Sequence, residues 1–221
     1  MRLFVHGMQS SGATSFTLFL AQRPDCLALV DILNNYAAPR VTTDRDMVAK
    51  AVVTTAYPLA VHLERFRPDR TILLLRNPQD NYQSLVGKPY RNHSGLIDEK
   101  FILMDQLFAE RERFDAVLCY EDFVARDPAV LATVSALGWP VSEDYYSYTR
   151  RHDVLLHDLW TEMPDLWERM EFAFGNVQGR EVSERFRDKP RDPEVEARLR
   201  RLCPRLLDFY ASSAASGVSS A

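Results

Sequence analysis

The first stretch that could do chemistry runs from Gly7 to Ser15 and follows a short apolar run. Gly7, Gly12 and Thr14 have the spacing of the phosphate-binding template G-x-x-x-x-G-K-[ST]. Glycine allows the backbone angles of an anion-binding nest, and the N-terminus of a following helix would add its partial positive charge. Ala13 stands where the template has lysine, which argues against an ordinary nucleoside triphosphate kinase or hydrolase. The stretch therefore predicts phosphate binding without the transfer or hydrolysis of a γ-phosphate. The alternative is an ordinary strand-to-helix turn of small residues.

The second such stretch follows residues 71–75, the most apolar strand pattern in the sequence. Arg76 comes at the end of that strand, and Ser84 follows in the helix that Pro78 opens. Open parallel sheets bind ligands at the carboxyl ends of their strands, so both side chains are expected in one crevice. A guanidinium fork and a hydroxyl suit a second phosphate group. The alternative is a surface ion pair between Arg76 and Asp80, with Ser84 an incidental helix residue.

Together the two stretches resemble the sulfotransferase superfamily, whose members transfer a sulfuryl group from 3′-phosphoadenosine-5′-phosphosulfate (PAPS). The family's first motif, G-x-P-[RK]-S-G-T-[TS], is matched at Gly7, Ser11, Gly12 and Thr14. Its second motif, R-[ND]-P-x-[DE]-x-x-x-S, is matched at Arg76, Pro78, Asp80 and Ser84. The strand that ends in Tyr120-Glu121-Asp122, the following Asp127-Pro128, and residues 184–187 also resemble bacterial members.

The resemblance implies that PAPS binds as a co-substrate without a metal ion. In the family, the first loop binds the 5′-phosphosulfate, and the arginine and serine of the second motif bind the 3′-phosphate. A basic segment near the C-terminus often contributes to the same site. The donor site implied in this way consists of Ser10, Ser11, Gly12, Ala13, Thr14, Ser15, Arg76, Ser84, Arg185 and Arg187.

Two features of the family are absent from the sequence. The basic residue of the first motif is Ser10 here, and the Lys-Thr-His of cytosolic members corresponds to Thr-Thr-Ala at residues 54–56. Sulfuryl transfer resembles phosphoryl transfer in that positioning and charge stabilisation do most of the work, so another cation must substitute for the missing one. The candidates for this cation are Lys50, Arg40, Arg185 and Arg187.

Asp31 is the first candidate for the general base. It follows the second predicted strand, near the place where the glycan-modifying branch of the family has a glutamate base. A carboxylate there would accept the proton of an acceptor hydroxyl, whereas capping of a helix or turn is its alternative role. Asp31 and Lys50 are therefore the predicted catalytic residues, and His6 and His93 are weaker candidates for the base. The other histidines, His62, His152 and His157, are expected to be structural. No cluster of residues in the sequence has metal-ligand spacing.

Strand patterns alternate with helical patterns over the first two thirds of the chain. The strands are predicted at residues 3–5, 26–30, 50–55, 71–75 and 116–120. Such alternation implies right-handed crossovers and a parallel sheet. We therefore expect an α/β fold, with a three-layer open parallel β-sheet, helices on both faces as in P-loop NTPases, and a helical C-terminal part. Residues 1–211 are expected to form a single domain and residues 212–221 a flexible tail.

The composition argues against several classes of function. A formal net charge of −4 gives no general affinity for nucleic acid or membranes. The three cysteines, Cys26, Cys119 and Cys203, are too widely separated to predict a zinc site or a disulfide framework. No segment has the layout of a signal peptide or a membrane span, so a cytoplasmic location is expected. The expected partner is a small-molecule or glycan acceptor, with no nucleic acid and no membrane, and the oligomeric state stays open.

Three hypotheses follow from these features. The leading one is a PAPS-dependent sulfotransferase that acts on a hydroxyl or amine of a small molecule or glycan. The second is a P-loop kinase-like phosphotransferase, against which Ala13 argues. The third is a non-catalytic relative of the sulfotransferases that binds a phosphorylated nucleotide, which Ser10 and Ala56 favour because both replace functional residues of the family. The acceptor itself is not predictable, because acceptor loops vary while the sheet does not.

Overall fold

The computed structural model describes residues 1–32, 34–166, 180–185, 187 and 189–217 of the 221-residue chain. Within these residues, the strands are β1 (Arg2–Gly7), β2 (Leu27–Leu29), β3 (Met47–Val52), β4 (Arg70–Leu75) and β5 (Ala116–Cys119). They form one sheet in the order β2-β3-β1-β4-β5, and all the pairings are parallel. The order reverses at β1, and such a switch point is where open α/β sheets bind ligands.

Helices connect the strands and make up most of the C-terminal part. The helices of the described residues are α1 (Ala13–Leu20), α2 (Leu59–Phe66), α3 (Pro78–Val86), α4 (Ile97–Ala109), α5 (Tyr120–Val124), α6 (Pro128–Ala136), α7 (His152–Glu162), α8 (Pro193–Leu202) and α9 (Pro204–Gly217). Proline opens both α3 and α6, where the missing N–H is not needed. Asn77 and Asp127 cap these two helices by accepting a backbone N–H at 3.0 and 2.8 Å.

Apolar side chains cover both faces of the sheet. In β1, Leu3 and Val5 belong to one buried cluster, together with Phe16 of α1. Phe4 points the other way and packs in a second cluster with Phe66 of α2. Because successive side chains of a strand point to opposite faces, this alternation requires a helical layer on each side. The predicted three-layer α/β fold is confirmed.

The structure moves some of the predicted boundaries. β3 begins at Met47, three residues before the predicted start, and places Lys50 in the middle of the strand, opposite Val5 of β1. β5 ends at Cys119, and Tyr120 already belongs to a short helix. Residues 212–217, predicted as the start of a tail, continue helix α9. Residues 218–221 lie outside the described part of the chain.

Two histidines, His6 of β1 and His62 of α2, are buried next to each other. The ring centroids of His6 and His62 are 5.8 Å apart. His6 Nδ1 donates to the carbonyl of Ala51 at 2.9 Å, and His62 Nδ1 accepts from the N–H of Ala38 at 3.0 Å. Burial lowers the pKa of His6 to about 3, with a further contribution from His62, and burial lowers the pKa of His62 to about 4. Both rings are therefore neutral in the folded protein at neutral pH.

We predict that acid destabilises the protein through this pair. Below pH 6.5 the histidines bind protons in the unfolded chain but not in the folded protein. The contribution of this pair to the free energy of unfolding is therefore fully present above that pH and is lost as the pH decreases. At pH 5 the loss is about 2 kcal/mol for each histidine. His6→Phe keeps the ring but not the titration, and should reduce the difference between the unfolding free energies at pH 7 and pH 5, measured by urea denaturation.

The exposed His157 provides the control, because His157→Gln should leave this difference as it is in the wild type. An undiminished difference in His6→Phe would contradict the assignment of the acid effect to the buried pair.

Candidate functional site

The first loop, residues 8–12, joins β1 to α1 and has an unusual backbone. Ser10 and Gly12 have positive φ angles of 60° and 88°. A Cβ on Gly12 would lie 2.3 Å from the ring of Tyr120, and a Cβ on Gly7 would lie 2.8 Å from the carbonyl oxygen of Leu74. Both glycines are therefore required, one for its backbone angle and close packing and the other for the approach of β4. Positive φ angles of this kind let backbone N–H groups form an anion-binding nest.

Groups in and after this loop could donate hydrogen bonds to an anion. The hydroxyl of Ser11 is buried, and within the described residues it has no hydrogen-bond partner. Helix α1 begins at Ala13, and its N-cap residue, Gly12, makes no side-chain capping bond. A phosphate or sulfate at this helix start would provide an acceptor both for Ser11 and for the first backbone N–H groups of α1. The loop therefore fits an oxyanion.

The hydroxyls of Thr14 and Ser15 face different neighbours. The Ser15 hydroxyl lies 2.5 Å from the Tyr148 hydroxyl, which also donates to the Ser15 carbonyl at 3.0 Å. Ser15 thus ties α1 to Tyr148 and does not offer a free hydroxyl to a ligand. Thr14 instead points toward β3, where it accepts a hydrogen bond from Lys50 Nζ at 3.1 Å.

Lys50 brings a positive charge to the loop that lacks one. Its side chain is buried, yet its ammonium group contacts the Asp31 carboxylate as well as the Thr14 hydroxyl. Thr14 Oγ1 lies 3.5 Å from the second carboxylate oxygen of Asp31, whose side chain is 26% exposed. The structure therefore brings the two predicted catalytic residues into contact beside the first loop. β3 makes this possible because it lies between β1, which leads into the loop, and β2, which precedes Asp31.

His152, expected from the sequence to be structural, also lies near Asp31. It is the first residue of α7. Burial lowers the pKa of His152, whereas the carboxylates of Asp31 and Asp153 act in the opposite direction. No spacing in the sequence connects residues 31 and 152, so only the fold reveals this proximity.

Arg76 connects the second predicted phosphate site to the first loop. It is buried, donates to the carbonyl of Ser10 at 2.6 Å, and holds its guanidinium 4.6 Å from the centroid of the Tyr120 ring. Burial lowers the pKa of Arg76, and neighbouring groups, including Asp80, oppose this shift. Ser84 lies on α3 and is half-buried. The backbone carbonyl of the loop thus fixes the direction in which the Arg76 side chain extends.

The C-terminal basic segment lies against the start of α3. The N–H of Lys189 donates to Asp80 at 3.2 Å, and Arg191 donates to the Asn77 side chain at 3.2 Å. Arg191 was not among the predicted site residues, although it stands directly before the Asp192-Pro193 helix start. Its contacts place a further cation beside the strand end that carries Arg76.

The two predicted arginines of this segment, Arg185 and Arg187, lie on its N-terminal side. Arg185 is exposed, and Arg187 forms an ion pair with Glu184 at 3.9 Å. The charge of Arg187 also acts on Asp122, where it opposes the rise in pKa that burial and Asp127 cause. Arg187 therefore lies near the residues that follow β5.

The sequence matches no family model and no curated protein. The fold, in contrast, is similar to that of several solved structures. A mouse sulfotransferase, SULT7A1, was solved in complex with 3′-phosphoadenosine 5′-phosphate (PAP). It is 11% identical to this chain, with a TM-score of 0.50 over 91% of this chain and 82% of that one. The fold is that of the sulfotransferases. A retinol dehydratase with androsterone and PAP (16% identity, TM-score 0.45, 93% and 80% coverage) and a sulfotransferase from Alicyclobacillus acidocaldarius (16%, 0.41, 75% and 92%) are also similar.

The sulfotransferase fold agrees with the resemblance seen in the two motifs. Three further candidates from the sequence are His6, Arg40 and His93. His6 is buried, its Nδ1 donates to the carbonyl of Ala51, and burial lowers its pKa to about 3, so its ring is not accessible to an acceptor. Arg40 is exposed and faces Glu64 at 3.8 Å. His93 is exposed on the loop after α3.

In the part of the chain that the structure describes, no group of three or more His, Cys, Asp or Glu side chains could hold a metal ion. No helix there has the length and apolar composition needed to cross a membrane.

We predict that Gly12→Ala removes anion binding. A left-handed backbone disfavours alanine by about 1–2 kcal/mol, and the new methyl group would overlap the Tyr120 ring, so the loop must move. Calorimetric titration with PAP should detect no binding to this variant. Gly87→Ala is the matched control, because a Cβ there meets no atom within 4 Å. Equal PAP affinities of the two variants would show that the first loop does not bind the nucleotide.

Proposed function

We propose that this protein is a sulfotransferase that moves the sulfuryl group of PAPS to a hydroxyl or amine of a small molecule or glycan. The observation that carries the proposal is the position of Lys50. It adds a buried cation to an anion-binding loop that has no basic residue of its own, and it does so beside a partly exposed carboxylate, Asp31. Sulfuryl transfer needs both groups, one for the leaving oxygen and one for the proton of the acceptor.

The donor would be held at both of its charged ends. The backbone of the first loop, together with Ser11, Thr14 and Lys50, would bind the 5′-phosphosulfate. Arg76 and Ser84 would bind the 3′-phosphate, at the strand end that the C-terminal basic segment covers. Arg185 and Arg187 belong to that segment. Arg191, which also belongs to it, comes closer to the strand end through its contact with Asn77.

The chemistry of the transfer then assigns one step to each catalytic residue. The acceptor oxygen attacks the sulfur and forms the new S–O bond, while its proton passes to Asp31. The bond between sulfur and the bridging phosphate oxygen breaks, and its electron pair stays on that oxygen. Lys50 stabilises this charge. Because Lys50 contacts Oδ1 of Asp31, the proton would go to Oδ2, whose one hydrogen bond within the described residues is the 3.5 Å contact with Thr14.

The first test is the choice of nucleotide. PAP should bind without any divalent ion at micromolar or better affinity, about −8 kcal/mol, and more tightly than ATP with magnesium. Lys50→Met should weaken PAP by about 2 kcal/mol, the range for a lost charge-assisted hydrogen bond. Arg70→Met is the control, because it also removes a cation that pairs with a carboxylate, Asp115 at 3.7 Å, but at the opposite end of the sheet.

Tighter binding of magnesium ATP than of PAP would favour the phosphotransferase hypothesis instead. Binding of PAP without sulfuryl transfer from labelled PAPS to any of a panel of phenols, alcohols, amines and oligosaccharides would favour the non-catalytic hypothesis.

The second test concerns the base. Asp31→Asn keeps the shape of the side chain but cannot accept a proton, so turnover on an acceptor from the panel should fall by about 10²–10⁴. PAP affinity should not decrease, since the substitution removes a negative charge that competes for Lys50. Asp98→Asn, which breaks an exposed ion pair with Arg198 at 2.8 Å, should retain wild-type turnover. Full activity of Asp31→Asn would exclude Asp31 as the base.

A further inference from the structure

A second buried lysine, Lys100 of α4, contacts the first loop at Gln9. Its side chain is fully buried, which is rare for lysine. The ammonium group donates to Gln9 Oε1 at 2.7 Å and to the carbonyls of Arg91 and His93 at 3.1 and 2.6 Å. Each of its three protons therefore has an acceptor, and none of these acceptors is charged. Burial lowers the pKa of Lys100 to about 8.

One end of this arrangement is the first loop itself. Gln9 belongs to the loop, and its backbone carbonyl accepts from the side chain of Asn81 on α3 at 2.7 Å. Because an ammonium group can only donate, the amide oxygen of Gln9 must face Lys100 and the amide nitrogen must face away. That nitrogen is buried, and within the described residues it has no hydrogen-bond partner. Lys100 is therefore what fixes the orientation of the Gln9 side chain.

The other end is the 88–94 loop, which connects α3 to α4. Its last residue, Ser94, accepts from the backbone N–H and the hydroxyl of Thr55, both at 3.1 Å. Thr55 follows β3, the strand that carries Lys50. A Cβ on Gly95 would lie 2.4 Å from Thr55 Oγ1, so the chain packs closely here. The 88–94 loop thus ends at the carboxyl edge of the sheet, where Asp31 also lies.

From these contacts we propose that Lys100 is a positioning residue that couples the first loop to the 88–94 loop. Lys100 holds Gln9 and two carbonyls of the 88–94 loop at once, so a ligand that fixes the first loop also fixes the 88–94 loop at the edge where an acceptor enters. The proposal rests on the proposed function in one respect, namely that a PAPS-type nucleotide is the ligand of the first loop.

The coupling can be measured by amide hydrogen exchange of the full-length protein with and without saturating PAP. In the wild type, PAP should slow exchange at residues 88–94 by about fivefold or more, the lower end of typical couplings between sites. In Lys100→Met and in Gln9→Leu, PAP should still bind, as calorimetry would show, but exchange at residues 88–94 should no longer respond to it. A purely structural role would change the exchange rate of the loop without removing its response to PAP.

Gln9→Glu is the matched control. The carboxylate would replace the amide oxygen as the acceptor of Lys100 and should retain the response of the 88–94 loop. Because Lys100 and its partner in the first loop are altered separately, misfolding of one variant leaves the other to decide. If PAP binds and the 88–94 loop of Lys100→Met or Gln9→Leu responds as in the wild type, the coupling role is wrong while the proposed function stands. If PAP does not bind to the wild type, the proposed function fails and the coupling fails with it.

Discussion

The ion pair between Lys50 and Asp31 is the interaction on which the rest of the candidate site depends. Burying an ammonium group in the middle of a sheet costs several kcal/mol unless other groups compensate it. Here the Asp31 carboxylate and the Thr14 hydroxyl compensate that cost. The three groups come from β3, the end of β2 and the start of α1, so their contact fixes these elements relative to one another. A charge kept at such a cost is typical of a functional position rather than of one selected for stability.

A second set of contacts connects the two halves of the proposed donor site. Arg76 donates to the Ser10 carbonyl and lies over the ring of Tyr120, and the same ring packs against Gly12. Glu121, the next residue, accepts from the N–H of Asn77 and from the hydroxyl of Tyr210 on α9. The short helix after β5 thus supports both the first loop and the strand end that carries Arg76. The C-terminal helix belongs to this support as well, since Tyr210 reaches Glu121.

The sequence predicts the parts of the site that depend on local spacing and does not predict those that depend on register. The first loop and the position of Arg76 at a strand end follow from residues close together in the chain, and the alternation of apolar runs predicts the sheet. The pairing of Arg76 with Ser84 around a phosphate stays a prediction. Lys50 was one of four candidate cations, because a strand that begins at residue 50 gives no reason to expect its side chain beside Thr14. Lys100 contacts Gln9, 91 residues away, and His152 lies near Asp31, 121 residues away. No periodicity in the sequence encodes such long-range proximity.

Supplying the cation from a strand has a chemical consequence on the proposed function. A lysine on a loop can follow the loop, whereas Lys50 is fixed by the pairing of β3 with β1 opposite Val5. A phosphosulfate bound beside Thr14 would therefore compete with Asp31 for a cation that cannot move far. As the ammonium group turns toward the phosphate, Asp31 would lose its ion-pair partner, and its carboxylate would become available to the hydroxyl of an acceptor. Donor binding would in this way free the base at the moment when a sulfuryl group is present to be transferred.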